Sequence, residues 1–301
     1  MSADTCLRAP PRSVSDPDAL GAMATRALLL ELETWPKPGL VSHVDRGAHA
    51  DMDASLLRTS AKVLAPFFVE LAAAGRSGAT MCELRQIGLA AESAMMRATG
   101  DVNTHRGAIF GLGLLCAAAG ALSHEGATTG ALGREVQRRW GTAISIDARS
   151  ASDGRPGADV RRRHGFGGAP AEAAAGFPTV YRAGLPALAR GRLLAASDQE
   201  AARVHACFAL IACVGDTNLV HRGGVEGLRF AQAAAASFLG AGGVGRVTWR
   251  ADAEAVHRTF TARRLSPGGS ADLLAMTLFV DAVEAPGRSR CACIGTPSTS
   301  G

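Results

Sequence analysis

Asp53-Ala54-Ser55-Leu56-Leu57-Arg58-Thr59-Ser60-Ala61-Lys62-Val63-Leu64-Ala65-Pro66-Phe67-Phe68-Val69-Glu70-Leu71 carries its apolar side chains at 56, 57, 63, 64, 67, 68 and 71. Gaps of three and four residues line these up on one face of a helix, since 3.6 residues complete a turn. The stretch therefore predicts an amphipathic helix entered from Asp53 and bent at Pro66. The same spacing recurs at Leu20, Met23, Ala27 and Leu30, at Leu84, Ile87, Ala91 and Met95, and at Ile109, Leu112, Leu115 and Cys116. Later it returns at Ala201, Val204, Phe208 and Ile211, and across 226–239, 252–263 and 271–283. Alternation of period two is nearly absent. The expected fold class is all-α: one large multi-helix domain over 18–285, with disordered segments at 1–17 and 286–301. From Trp140 to Pro170 glycine, aspartate, arginine and serine dominate, which predicts a long Gly/Arg-rich loop or lid in the middle of the domain. Its Arg161-Arg162-Arg163-His164 run reads either as a phosphate contact or as solvated surface charge.

Composition narrows the class further. The 301 residues are 47% hydrophobic, 20% charged and 5% aromatic, long enough for a sizeable core and too apolar for general disorder. Thirty-six glycines with a single tyrosine and three tryptophans disfavour a β-sandwich or barrel. Lys+Arg total 32, yet Lys37 and Lys62 are the only lysines, so 30 arginines face 27 acids for a net charge of +5. That surplus suits an anionic partner of any kind. No apolar run follows a basic start, so no signal peptide is expected. The least charged stretch, between Arg106 and Glu125, is diluted by glycines and falls short of the roughly 20 apolar residues of a membrane span. It reads as a buried helix. Cys82, Cys116, Cys207 and Cys213 sit within apolar helical patterns, where thiols behave as small hydrophobes, and Cys291-Ala-Cys293 lacks zinc-knuckle spacing. Together these predict a cytoplasmic protein.

Four glycine-flanked polar clusters interrupt the helices. Pro36-Lys37-Pro38-Gly39 holds an ammonium in a constrained loop, or is simply a rigid connector, and Gly47-Ala48-His49-Ala50-Asp51-Met52-Asp53 follows it. Asp51 and Asp53 could share Mg²⁺ with substrate phosphates, or could be acids of a first helical turn. Gly100-Asp101-Val102-Asn103-Thr104-His105-Arg106-Gly107 and Gly215-Asp216-Thr217-Asn218-Leu219-Val220-His221-Arg222-Gly223 echo each other as G-D-x-N followed by H-R-G. Capping accounts for Asn103 and Gly215; the repeated His-Arg-Gly points instead to anion binding at helix ends. In Ser266-Pro267-Gly268-Gly269-Ser270-Ala271-Asp272 small residues precede a helix, so phosphate oxygens could approach backbone amides, while Asp272 is either a first-turn acid or a neighbour of the ligand. Neither a Walker A loop, a Ser-His-Asp order nor a zincin motif is present. The residues describe an all-α enzyme gathering arginine, histidine, asparagine and carboxylates around a phosphorylated ligand.

At these same clusters, over roughly residues 20–283 and in order, the sequence resembles the triphosphoribosyl-dephospho-CoA synthase family. The stretches that carry the likeness are Pro36 to Val41, Gly47 to His49 with Asp51-Met52, Val102 to Phe110, Gly215 to Asn218 with Arg222 to Gly224, and Ser266 to Leu274, joined by Glu172 and Gly176-Phe177-Pro178. The resemblance implies an all-helical fold and the reaction of ATP with 3′-dephospho-CoA to 2′-(5″-triphosphoribosyl)-3′-dephospho-CoA and adenine. It further implies a product handed to a carrier-protein transferase for malonate decarboxylase or citrate lyase, the Glu33 to Lys37 region favouring malonate. Two departures stand out: Asp101 replaces the family's glycine, and Pro170 replaces an arginine before Glu172.

Under that resemblance the 2′-hydroxyl of dephospho-CoA attacks C1″ of ATP in one inverting displacement through an oxocarbenium-like transition state. Asp216 is the expected base or metal-linked carboxylate, beside Asn218, and His105 or His221 the expected proton donor to adenine. Lys37, Asn103, Arg106, Arg222, Gly268, Gly269, Ser270 and Asp272 are expected to hold the substrates, and Asp51, Asp53 and Asp216 a Mg²⁺ ion. Two other readings are a Mg²⁺-dependent ADP-ribosyl hydrolase and an arginine-rich helical nucleic-acid-binding protein; the latter is disfavoured because the arginines cluster beside glycine, asparagine and acids, and no membrane partner is expected because the least charged run reads as a buried helix.

Overall fold

The 53–71 stretch is helical from residue 54 to 71, with Asp53 as its extended N-cap, and the helix built on it organises the molecule. A computed structural model of the chain describes residues 16–122, 128–150 and 167–284. The expected disordered segments apart from Asp16 and Pro17, together with Arg161 to Arg163, Cys291 and Cys293, lie outside the described residues; Pro17, expected in the first of them, is helical. Eleven α-helices are present among those described, and no strand: α1 (Pro17–Leu32), α2 (Ala54–Arg76), α3 (Met81–Thr99), α4 (Arg106–Ala121), α5 (Ala131–Ser150), α6 (Gly168–Ala174), α7 (Leu185–Leu194), α8 (Gln199–Cys213), α9 (Thr217–Gly240), α10 (Trp249–Ala262) and α11 (Gly268–Glu284). A π-turn at Val180–Gly184 leads into α7, and a 3₁₀ turn at Gly243–Gly245 follows α9. The all-α expectation holds. Pro17 is the first residue of α1, since its missing N–H costs nothing there.

α4 is the central helix. It is apolar nearly all round and packs against α1, α2, α3, α5, α6 and α11. Its glycines are close-contact points: a Cβ on Gly120 would lie 1.9 Å from the Ala72 carbonyl oxygen, and one on Gly75 of α2 would lie 1.9 Å from that of Ala117. The described part of the diluted run, Arg106 to Ala121, is thus a packed core helix as expected, and no single helix among the described residues is long and apolar enough to cross a membrane. α2 continues through Pro66 as one helix.

Two expectations need correction. The loop predicted from Trp140 to Pro170 is helical at both ends, because α5 runs to Ser150 and α6 begins at Gly168. Leu132, Val136, Trp140 and Ile144, four apart and all buried, form a core stripe that the charged opposite face of α5 masks in the sequence. Glu284, buried at the end of α11, accepts the Gly130 and Leu132 amides and so caps the start of α5. The cysteines also divide: Cys116 and Cys207 are buried, whereas Cys82 and Cys213 are exposed.

Candidate active site

Three helices begin at one place. The N-termini of α4, α9 and α11 converge beside a cavity of about 1070 Å³, the upper end of what single small-molecule sites occupy. The second, third and fourth polar clusters supply these three termini, and the 47–53 loop closes the rim at His49 and Asp51. Helix N-termini present unpaired N–H groups and positive dipole ends, so their convergence favours anions.

Asp216 ties two of the termini together. It is 2% exposed; Oδ1 accepts the Asn218 and Leu219 amides at 2.9 and 3.4 Å, and Oδ2 accepts the Ser270 amide and hydroxyl at 2.9 and 3.2 Å. Capping, set aside for this residue on sequence, is therefore what Asp216 does, for α9 directly and for α11 across the junction. Burial raises its proton affinity and the four donors oppose that rise. The glycines beneath it let the loop pack closely: a Cβ on Gly269 would lie 3.2 Å from Oδ2, and one on Gly268 2.7 Å from Asn218 Nδ2. The Ser270 amide, expected to meet phosphate, is spent on Asp216, and Ser270 is fully buried.

Asp272 joins α11 to α4. Its carboxylate accepts the Ala108 amide and lies over Gly107, where a Cβ would come within 2.0 Å of Oδ2. Burial, then the charges of Glu31 and Asp216, lift its proton affinity well above the ordinary carboxylate range. Glu31, on α1, was not singled out from the sequence. It holds Lys37, whose ammonium is fully buried and bonded to the Glu31 carboxylate, while His257 Nδ1 lies 2.6 Å from the Lys37 carbonyl oxygen. Lys37 does not line the cavity, so the expected phosphate lysine is instead an internal counter-charge behind it. A carboxylate in the last turn of an apolar helix, six residues before one of only two lysines, is the signal that was available.

His105 is 5% exposed, with Nδ1 2.7 Å from the Ser60 hydroxyl, which in turn accepts the Thr104 hydroxyl. Burial, aided by the Lys37 ammonium, pushes it down to about 4, so it is neutral near pH 7 and is no imidazolium donor to adenine. Asn103 Oδ1 accepts the Arg106 amide, and Arg106 pairs with Glu92 at 2.5 Å on the cavity wall. His221 and Arg222 are exposed on the opposite side. Arg222 donates to the Ala48 and Arg264 carbonyls and lies 3.2 Å from His49 Nδ1, whose Nε2 meets Ser266 Oγ at 2.8 Å. Glu172, at the cavity's far end, accepts the Thr179 amide and hydroxyl, and burial raises its proton affinity.

The two echoed clusters are not structural repeats. Gly100 and Asp101, both at positive φ, end α3, and His105-Arg106-Gly107 opens α4. In the second copy Asp216 opens α9, His221-Arg222-Gly223 lies a turn further on, and Gly224 at φ 67° breaks the helix just beyond. Both copies nonetheless bring a His-Arg pair to one cavity.

The proposed metal set does not assemble. Asp53 caps α2 through the Leu56 amide and pairs with Arg46, Asp216 is saturated by its donors, and Asp51 lies exposed on the rim beside His49. Among the described residues no group of three or more His, Cys, Asp or Glu side chains could hold a metal ion.

Against known proteins, residues 17–291 match the model of the family described as ATP:dephospho-CoA triphosphoribosyl transferase. Relatives named probable 2-(5''-triphosphoribosyl)-3'-dephosphocoenzyme-A synthase include one from Pseudomonas paraeruginosa, 42% identical over 95% of this chain and 97% of its own. Another, from Stutzerimonas stutzeri, is 39% identical over 93% and 96%, and a third, from Pectobacterium carotovorum, 41% identical over 83% and 84%. No solved structure matches. With a family match across nearly all its helices and relatives of about 40% identity along its length, this chain belongs to the ATP:dephospho-CoA triphosphoribosyl transferase family, enzymes of the transferase class.

Proposed function

We propose that the cavity beside α4, α9 and α11 is where ATP and 3′-dephospho-CoA meet, and that their reaction there yields 2′-(5″-triphosphoribosyl)-3′-dephospho-CoA and adenine. The observation that carries this reading is the convergence of three helix N-termini, Arg106 and Arg222 on one cavity of about 1070 Å³. Arg106, anchored by Glu92, and Arg222, reaching across from α9 with His221 and Asn218, are the groups placed to grip triphosphate and pyrophosphate. On this reading the acidic side chains that line the cavity, Glu31, Asp216 and Asp272, face the positive charge that develops at the ribose carbon. Among the described residues no cage of side chains awaits Mg²⁺, and in this reading the ion arrives on the triphosphate and meets Asp51 at the rim.

Several surface arginines are spent in ion pairs, Arg85 with Asp147, Arg192 with Asp281 and Arg250 with Glu200 among them, which argues against a basic nucleic-acid-binding face. The product is a prosthetic-group precursor passed to a carrier-protein transferase, for malonate decarboxylase in preference to citrate lyase, in the cytoplasm where both substrates are made. Support for malonate is the character of Glu33 to Lys37 alone, and the neighbouring genes test it.

The reaction is tested by incubating the protein with ATP, dephospho-CoA and Mg²⁺. Adenine should be released in step with a triphosphoribosylated product detected by mass. ADP or phosphate in place of adenine would overturn the reading, and adenine release without dephospho-CoA would favour the hydrolase alternative.

A further inference from the structure

Several carboxyls border the cavity, and their surroundings set them apart. A carboxylate offers about four lone-pair positions. Asp216 has all of them engaged, by two amides of α9 and by the amide and hydroxyl of Ser270. A substrate hydroxyl could bond to it only by displacing a helix cap. Glu172 is held by the Thr179 amide and hydroxyl and the Val180 amide. Glu31 is committed to the buried Lys37 ammonium. Asp272 lines the same cavity with a single donor, the Ala108 amide, among the described residues. Gly107 leaves its carboxyl room to lie against the first turn of α4, between Arg106 and the α11 terminus.

We propose that Asp272 is the catalytic base of the transfer, and that Asp216, the carboxylate beside it, is a positioning residue that fixes the start of α11. The assignment rests on the triphosphoribosyl-transfer reading. In the step, an electron pair of the dephospho-CoA 2′-oxygen forms the bond to C1″ and the hydroxyl proton passes to the Asp272 carboxylate. The C1″–N9 pair leaves with adenine, which takes a proton from water in the open part of the cavity. Burial and the two neighbouring acids raise the proton affinity of Asp272, which makes it a stronger base than an ordinary carboxylate. His105 is a poor competitor, because the buried, Ser60-bonded ring binds protons weakly.

The test compares wild type with Asp272→Asn under saturating ATP and dephospho-CoA, reading adenine release. The variant should lose roughly 10²–10⁴-fold in kcat, the range general bases contribute, with KM for both substrates changed only a few-fold. A wild type that releases no adenine removes the reaction and the assignment together. A working wild type with a variant that keeps more than a tenth of kcat removes the assignment alone. Should Asp272→Asn fail to fold, the pH dependence of wild-type kcat/KM decides. A base must be ionised to act, so activity falls as pH drops through its pKa. An acid limb shifted clearly above the ordinary aspartate value of about 4 supports Asp272, and one at that value overturns it.

Discussion

Replacing Asp216 with alanine should weaken the whole fold, because one carboxylate holds the starts of two helices. The lost cap of α9 costs about 1 kcal/mol. Ser270 then keeps a buried amide and hydroxyl without their charged acceptor, a loss of roughly 1.5–3 kcal/mol. Removing a buried charge whose proton affinity is already raised offsets part of this, leaving a net cost of roughly 3 kcal/mol against a typical total of about 5–15. At about 2 °C per kcal/mol for a large domain, the melting temperature should fall by roughly 6 °C in calorimetry. Asp216→Asn should cost less, since its remaining oxygen can still cap α9 while its NH₂ faces the Ser270 donor. A double-mutant cycle isolates the bridge: in a Ser270→Ala background the Asp216→Ala penalty should shrink by about 1 kcal/mol. An alanine variant melting within 2 °C of wild type, or a cycle with no coupling, would refute the bridging role.

Three further outcomes follow from the same geometry. Lys37→Met leaves Glu31 buried without its partner and should cost roughly 3–5 kcal/mol in urea unfolding, most of it recovered when Glu31→Gln is added; equal midpoints for wild type and Lys37→Met would contradict the buried pair. His105 is held neutral with its folded-state pKa lowered to about 4 from 6.5, so the unfolded chain binds the extra proton between these values, and this contribution to stability is present above about pH 6.5 and lost as pH falls toward 4. His105→Gln should therefore lose about 2 kcal/mol less than wild type between pH 7 and pH 5, checked by urea midpoints at both. Gly107→Ala drives a methyl into Asp272 Oδ2 and should lower kcat at least tenfold, by adenine release, while far-UV circular dichroism stays unchanged.

The fold was largely readable because burial imposes the 3.6-residue period wherever one helix face is apolar, as along Leu57, Leu64, Phe68 and Leu71. α5 escaped because its stripe of Leu132, Val136, Trp140 and Ile144 is one residue wide among arginines and glycines, and the loop-like composition beyond it pulled the boundary inward. At the site, Arg106, Arg222, His221, Asn218 and Asp272 were named from residue type and do face the cavity. What pattern could not show is which polar groups are already satisfied. Asp216, Ser270 and Lys37 have the chemistry of ligand-binding groups, but their partners lie 54 residues away for the first two and six for the third, inside the protein. Asp51 and Asp53, two apart in sequence, part company because one caps a helix and the other does not.

The contact of α2 with α4 through Gly75 and Gly120 has a mechanical result. Helices that touch main chain to main chain cannot slide or roll without carbonyl oxygens colliding with Cα atoms, whereas side-chain interfaces yield by changing rotamers. The wall that carries His105, Arg106 and Gly107 is thus the fixed jaw of the enzyme. On the opposite side of the cavity the turn of α9 bearing His221 and Arg222 is joined to the rest of its helix through the break at Gly224, so it lacks that continuous main-chain restraint.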